Sequence, residues 1–457
     1  MKKPTIGMLR AWAQCSKHRK MNVSERTALC DEQLRQMVAW ARSNSPYYSW
    51  LYRDIGTDFK LLDLPPVNKV ELMAHWDEWV TDRTITLSQV NEFMGDPDNI
   101  GRRIKGEYLV FTTSGSTGNP LVALCDGTTN NVMGAVNATR ALARKEDLAN
   151  FIKRGGKTIG VFATGGFYLG NSSVRARLLK MPWKKRQMAV TSALLPIAEI
   201  VEQLNAFQPA MLGGYPSNLE LLIDEQKNGH LHINPVLIMT GGEYLADALR
   251  EQLTQTFDCY VQTSYSCTEG GTIACECTER HLHINDDWVI IEPVDKNNKP
   301  VPNGVRADKI LLTNLFNYTQ PFIRYEVTDR VTLHDEPCKC GNPSPWLTLE
   351  GRNDDVVSFT QDGREIKLAP LAIYATLKEV HELRRFQLVA DQANNTAQLR
   401  LEPVENVTKE EAFQKATYAL ENFFSVHGLS GITVILSDEE PKQDAGSGKF
   451  KHIIRVP

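Results

Sequence analysis

The sequence predicts an α/β protein: a large N-terminal part with parallel sheets flanked by helices, a β-rich stretch after it, and a small α+β part at the C-terminus. Three observations carry this. Between Thr158 and Thr263 short apolar runs alternate with helical patterns, the signature of βαβ units and of a parallel sheet buried on both faces. After Gly270 the pattern changes to short strands with polar breaks, which reads as antiparallel. Beyond the polar break Gly351-Arg352-Asn353-Asp354-Asp355 the chain starts a pattern of its own. The expected domains are therefore residues 1–353 and 354–457.

In chain order, the opening segment reads as mainly helical. Leu34, Met37, Val38 and Ala41 recur at helical spacing between Asp31 and Ser43, and Asn44-Ser45-Pro46 ends that helix. Leu64-Pro65-Pro66-Val67-Asn68-Lys69 reads as a turn into a further helix. Tyr108-Leu109-Val110 and Leu121-Val122-Ala123-Leu124 read as strands with a loop rich in Gly, Ser and Thr between them. A helix is expected over 128–144. Strands follow at 158–163, 210–212, 236–239 and 260–263, with helices at 196–207, 217–227 and 245–257. The β-rich stretch has strands at 288–291, 310–313, 322–325 and 331–333. The last part has a strand near Val356, a helix over 370–378, strands at 385–389 and 397–401, a long helix over 408–427 and a strand at 432–436. Thr408-Lys409-Glu410-Glu411 is a capping box for the long helix.

Hydrophobic residues make up 42% and charged residues 23% of the chain, ordinary for a globular protein. The formal net charge of −4 gives no ground for a nucleic-acid or membrane-surface partner. No apolar run is long enough to span a bilayer, and no long apolar segment follows Met1-Lys2-Lys3-Pro4, so no signal peptide is read. The expected location is the cytoplasm. There the nine cysteines are expected to be mostly reduced, and a cluster of them is a metal candidate before it is a disulfide candidate.

Ligands of parallel sheets sit at the carboxyl ends of strands. Four segments are expected there as loops: Thr164-Gly165-Gly166-Phe167, Gly213-Gly214-Tyr215, Gly241-Gly242-Glu243 and Ser264-Tyr265-Ser266. Tight strand-to-helix turns also favour glycine, so composition leaves both readings open. The loop after Phe111 has the hydroxyls of Thr113, Ser114, Ser116 and Thr117, with Gly115 and Gly118 between them. Its backbone N–H groups and hydroxyls suit phosphate oxygens, although such clusters are also ordinary turn material. It is not a Walker loop, because no Gly-Lys-Ser/Thr follows at the right spacing. Phe167, Tyr168, Tyr215 and Tyr265, with Gly214 beside them, stand where they could line an aromatic pocket, though aromatic residues equally build cores. Cys277, His283, Cys338 and Cys340 offer three thiolates and an imidazole, a set suited to tetrahedral structural zinc. Cys275 and His281 are alternates, and the spacing is not that of a zinc finger.

The loop Thr113-Ser114-Gly115-Ser116-Thr117-Gly118-Asn119-Pro120 resembles the phosphate loop of the adenylate-forming superfamily. Leu121, where many members carry Lys, is similar to the phenylacetate–CoA ligase branch. Tyr265-Ser266-Cys267-Thr268-Glu269 resembles the superfamily's Tyr-Gly-x-Thr/Ser-Glu motif. The segment from Pro321 to Asp329 resembles Pro-x-Ile-Arg-Tyr-x-Thr-Gly-Asp, and Gly351-Arg352-Asn353-Asp354-Asp355 resembles the Gly-Arg-x-Asp-Asp hinge. Gly446-Ser447-Gly448-Lys449 resembles the C-terminal Gly-Lys segment. The motifs stand in the family order over nearly the whole chain. Ser266 and Thr328 depart from it where the family has Gly.

The resemblance implies a large adenylating domain and a small domain that swings about Asp354. It implies that residues 113–118 wrap ATP, with Gly241, Gly242, Glu243 and Ser266 also at the nucleotide. Tyr265 would lie against adenine, Asp329 on the ribose hydroxyls, and Arg352 towards ribose or phosphate. Thr268 would contact phosphate, Glu269 would hold Mg²⁺, and Lys449 would offset charge during adenylation, with Lys442 and Lys451 as competitors. Cys277, His283, Cys338 and Cys340 match a Cys-x-Cys-Gly element, with Cys and Leu-His upstream, in some relatives of the branch. The implied reaction is ATP-dependent activation of a carboxylic acid, aryl or arylacetic in this branch, to an acyl-adenylate, then thioester formation with CoA. An amine or carrier protein is the alternative acceptor. A nucleotide-binding protein with a degenerate site is the alternative of another class. The implied partners are the acid and the acceptor, with a homodimer left open.

Overall fold

The computed structural model describes residues 3–113, 120–349, 357–362, 364–368, 370–442 and 452–456. The helix expected after Asp31 runs over Val23–Asn44, started by a capping box between Asn22 and Glu25. It ends at Ser45, whose hydroxyl caps the next short helix, Pro46–Leu51. These helices pack on the antiparallel strands Tyr108–Thr112 and Val122–Cys125, which flank the Gly/Ser/Thr segment in sequence.

The central element is a nine-stranded sheet. Its five parallel strands run in the order Met188–Ser192, Thr158–Phe162, Met211–Gly214, Leu237–Thr240, Tyr260–Cys267. Val161, Leu212, Ile238 and Val261 are fully buried in it, as expected of parallel strands covered by helices on both faces. The sheet continues as antiparallel strands, Gly271–Glu276, Leu282–Ile284, Trp346–Leu349 and Val331–His334. A second, three-stranded antiparallel sheet is made by Val289–Val294, Lys309–Asn314 and Tyr325–Val327. The β-rich stretch is thus antiparallel, as its polar breaks predict.

Several expectations need correction. The helix expected over 128–144 ends at Arg140, and a second helix, Lys145–Lys153, follows. Ser264, Tyr265 and Ser266 are not a loop: they belong to Tyr260–Cys267, which runs on because Gly271–Glu276 supplies an antiparallel partner. The strand expected over 322–325 is Tyr325–Val327, because Arg324 has positive φ and cannot extend the strand backwards. The helix Leu169–Lys180 and the edge strand Met188–Ser192 have weak patterns and were not expected.

Arg140 anchors the end of its helix. Its guanidinium makes paired bonds to Asp287 of 2.7 and 2.6 Å and reaches Asn285 Oδ1 at 2.8 Å. Both members of the ion pair are buried. Removing Arg140 leaves the Asp287 carboxylate buried with His18, 3.8 Å away, beside it, and breaking such a buried pair typically costs about 3–5 kcal/mol. Arg140→Met is therefore expected to lower the urea midpoint strongly. Adding Asp287→Leu should recover most of the loss, and a single variant with an unchanged midpoint would refute the assignment.

The C-terminal residues build their own core. Phe359, Leu388, Leu399, Leu420 and Phe424 are buried together. A four-stranded sheet has the order Thr433–Leu436, Thr396–Pro403, Leu383–Asp391, Ile453–Val456, and helix Lys409–Val426 carries the expected capping box. The hairpin Val357–Gln361 with Arg364–Leu368 is attached to it. This part rests on the body through Leu194 and Leu221, an ion pair of 2.7 Å between Lys367 and Asp224, and Lys378 against Tyr168. No helix among the described residues is long and apolar enough to cross a membrane.

Candidate active site and metal cluster

The neck of the Gly/Ser/Thr loop is pinned. Thr113 N–H donates to the Leu121 carbonyl at 3.1 Å, and Leu121 N–H donates to Thr113 Oγ1 at 2.9 Å. Thr112 N–H donates to the Phe167 carbonyl at 2.8 Å, which ties the loop's base to the segment between strand Thr158–Phe162 and helix Leu169–Lys180. Ser114, Gly115, Ser116, Thr117 and Gly118 lie outside the described residues, as do Arg352, Asp354, Lys449 and Lys451.

The two glycine segments at the strand ends are stitched together by Glu243. Its carboxylate accepts from Ser217 N–H and Ser217 Oγ–H, both at 2.9 Å, at the start of helix Pro216–Lys227. A carboxylate there meets the positive end of the helix dipole. Gly242 has φ +81°, and a side chain on it would meet the Tyr215 ring at 2.9 Å, so only glycine fits. Phe167 is buried against Phe93. Tyr168 has Lys378 Nζ 3.2 Å from its hydroxyl and 5.1 Å from its ring centre. Burial lowers the Lys378 ammonium from its ordinary value.

Tyr265 and Asp329 meet: the hydroxyl donates to Asp329 Oδ2 at 2.9 Å, and the ring is buried. Thr268 and Glu269 follow at the strand end beside a narrow crevice lined also by Phe111, Met133 and Phe316. Glu269 is buried, and burial raises its carboxyl, against hydrogen bonds that include those from Tyr325 and Cys267. Burial and Glu269 together raise the Tyr325 hydroxyl. Burial lowers the Lys69 ammonium, and Glu269 opposes that shift. Segment 67–69 reaches this site because Val67 bridges Tyr325, with Glu326 N–H donating to Val67 at 2.8 Å. Lys69, Tyr325 and Lys378 were not singled out from sequence. Tyr325 stood inside a quoted motif, but Lys69 and Lys378 carry no local signal.

Cys277, His283, Cys338 and Cys340 converge, with their ligand atoms all within 4.8 Å of one another. The sheet register does this: His283 pairs across from Trp346, and the turn carrying Cys338 and Cys340 leads into that strand. Cys277 Sγ and Cys338 Sγ are 3.8 Å apart, and Cys340 Sγ is 3.3 Å from His283 Nε2. Ligands about 2.3 Å (S) and 2.0 Å (N) from a tetrahedral ion are separated by roughly 3.5–3.8 Å. His283 Nδ1 bonds the Ser344 carbonyl at 2.8 Å, so it carries the proton and Nε2 is left with a lone pair for the cluster. Gly341, at φ +77°, closes the turn after Cys340. The alternates take other roles. His281 stacks on Trp346 at 3.7 Å and borders the cluster, with Nδ1 3.3 Å from Cys338 Sγ, and Cys275 is buried near Asn285 Nδ2.

No family model matches the chain. The chain is 24% identical over 404 residues to phenylacetate-coenzyme A ligase of Thermus thermophilus, across 84% of this chain and 82% of that one. It is 22% identical over 345 residues to protein CapK of Staphylococcus aureus, across 73% and 70%. Among solved structures, 2-hydroxyisobutyryl-CoA ligase with 2-HIB-AMP and CoA in the thioesterification state has a TM-score of 0.61 at 20% identity, covering 96% of this chain and 91% of that one. The same ligase in the postadenylation state with R3-HIB-AMP gives 0.55 at 19% identity, covering 96% and 92%. The chain thus has the fold of these ligases and is similar in sequence to the phenylacetate–CoA ligase branch of the adenylate-forming superfamily.

Proposed function

We propose that this protein is an AMP-forming acid–thiol ligase that activates a carboxylic acid with ATP and passes the acyl group to CoA. The observation that carries the reading is the order of its motifs on this fold: the pinned loop neck at Thr113, Tyr265 bonded to Asp329, and Glu269 beside them. The acid's carboxylate would attack the α-phosphorus of ATP and release pyrophosphate. The hydroxyl loop, Mg²⁺ held with Glu269, and Lys449 would offset the developing charge. Tyr265 keeps Asp329 oriented, and a carboxylate accepting two adjacent hydroxyls suits ribose. The thiol of CoA would then displace AMP, so no cysteine of the chain need act as nucleophile. Burial pushes the Cys267 thiol well above its ordinary value, which keeps it unreactive. Zinc in the Cys277, His283, Cys338, Cys340 cluster would be structural, because the set is filled by protein ligands.

The test is pyrophosphate release across a panel of acids, repeated with CoA. Acid-dependent release that proceeds to a thioester supports the reading. Release without thioester moves the acceptor to an amine or carrier protein, and no release with any acid refutes ligase activity.

A further inference from the structure

The carboxyl end of the strand Thr158–Phe162 is built around a flat patch of backbone. Gly160 and Gly213 face each other in register on neighbouring parallel strands. Gly170 lies in the first turn of helix Leu169–Lys180. All three turn towards one ring. A methyl group on Gly160 would stand 2.1 Å from the Phe162 ring, one on Gly170 3.3 Å, and one on Gly213 3.6 Å. Tyr215 meets the same ring edge-on, with centroids 5.7 Å apart and planes at 78°. Phe162 is only part-buried, so its ring is reachable from solvent rather than sealed in a core.

Glycine inside strands weakens them and marks places where something must approach the backbone closely. Here two glycines in register, with a third on the facing helix, leave a slot the thickness of an aromatic ring, and the chain's own Phe162 occupies it. The slot stands at the carboxyl ends of parallel strands, where such sheets bind ligands. It lies next to Tyr215, which packs against Gly242.

We infer that this slot is the deep end of the acid subsite and that the Phe162 ring sets its length. The inference rests on the acid-activating reading above and names its substrate class: short aliphatic acids, with aryl acids excluded by the ring already in place. An apolar space left by deleting a large side chain can stay dry and take up an aromatic ring. Phe162→Ala therefore vacates a planar site for the aryl group of a longer acid.

The experiment compares kcat/KM for acid-dependent pyrophosphate release with butanoate and with phenylacetate, in wild type, Phe162→Ala and Phe162→Leu. Wild type is expected to favour butanoate. Phe162→Ala should shift the ratio towards phenylacetate by about tenfold or more, the discrimination that a small change of apolar pocket volume provides. Phe162→Leu should give a smaller shift in the same direction, and it carries the test if the alanine variant does not fold. A wild type that already favours phenylacetate overturns the inference. So does an unchanged ratio in a variant that still releases pyrophosphate, and either result leaves the ligase reading intact. A wild type that releases pyrophosphate with no acid removes the ligase reading and this inference with it.

Discussion

Cys340→Ser is expected to lower the thermal midpoint by on the order of 10 °C, and chelation of the wild type should do the same. Four ligand atoms within 4.8 Å of one another bring thiolates together at a cost that a bound divalent ion offsets. Binding free energy to a site absent from the unfolded chain is folding free energy. Each kilocalorie is worth roughly 2–4 °C in a domain of 150–250 residues and less in a larger one, so losing several of them gives a drop of that size. The cluster joins the turn after Gly271–Glu276 to the turn before Trp346–Leu349, so its loss loosens that end of the nine-stranded sheet. The purified chain should carry about one zinc. Metal-free protein, or a variant with less zinc and an unchanged midpoint, would sink the structural role.

Lys449→Ala should slow adenylation by on the order of a hundredfold or more, the usual loss when one electrostatic partner of a transition state is removed. Thioester formation from supplied acyl-adenylate should be nearly untouched. The prediction follows from Lys449 lying in a glycine-flanked segment of a C-terminal part proposed to reorient about Asp354. Two contacts of that part with the body suit reorientation. Lys367 and Asp224 are part-exposed, and such pairs contribute about 0–1 kcal/mol. Lys378 on Tyr168 would have to break and re-form in such a reorientation. Separate assays of the two half-reactions decide the matter. Equal losses in both steps would count against alternation, and an intact adenylation rate would move the role to Lys442 or Lys451.

Much of the fold was legible because it is local. The α/β alternation from Thr158 onward is a change of hydrophobic period, and period is a property of neighbouring residues. The long C-terminal helix was readable at its start because Thr408 and Glu411 satisfy each other's backbone within four residues. The break at Ser45-Pro46 was readable because proline acts on its own turn. Residue types also placed phosphate-loop, carboxylate and thiolate chemistry along the chain in a recognisable order.

The tertiary structure decided what depends on partners far away in the chain. Ser264 to Ser266 are polar enough to read as a loop, yet they are strand because Gly271–Glu276 pairs with them. Ile453–Val456 is a strand because it lies parallel to Leu383–Asp391. His283 was the expected partner of the three thiolates, but only the register of Leu282–Ile284 against Trp346–Leu349 brings it to them, with the alternate His281 beside the cluster. Lys69 stands near Glu269 only because a bridge from Val67 to Tyr325 carries it there. Side-chain type and local period are written residue by residue, but a distance between remote residues follows from strand pairing and packing that form only when the whole chain closes on itself.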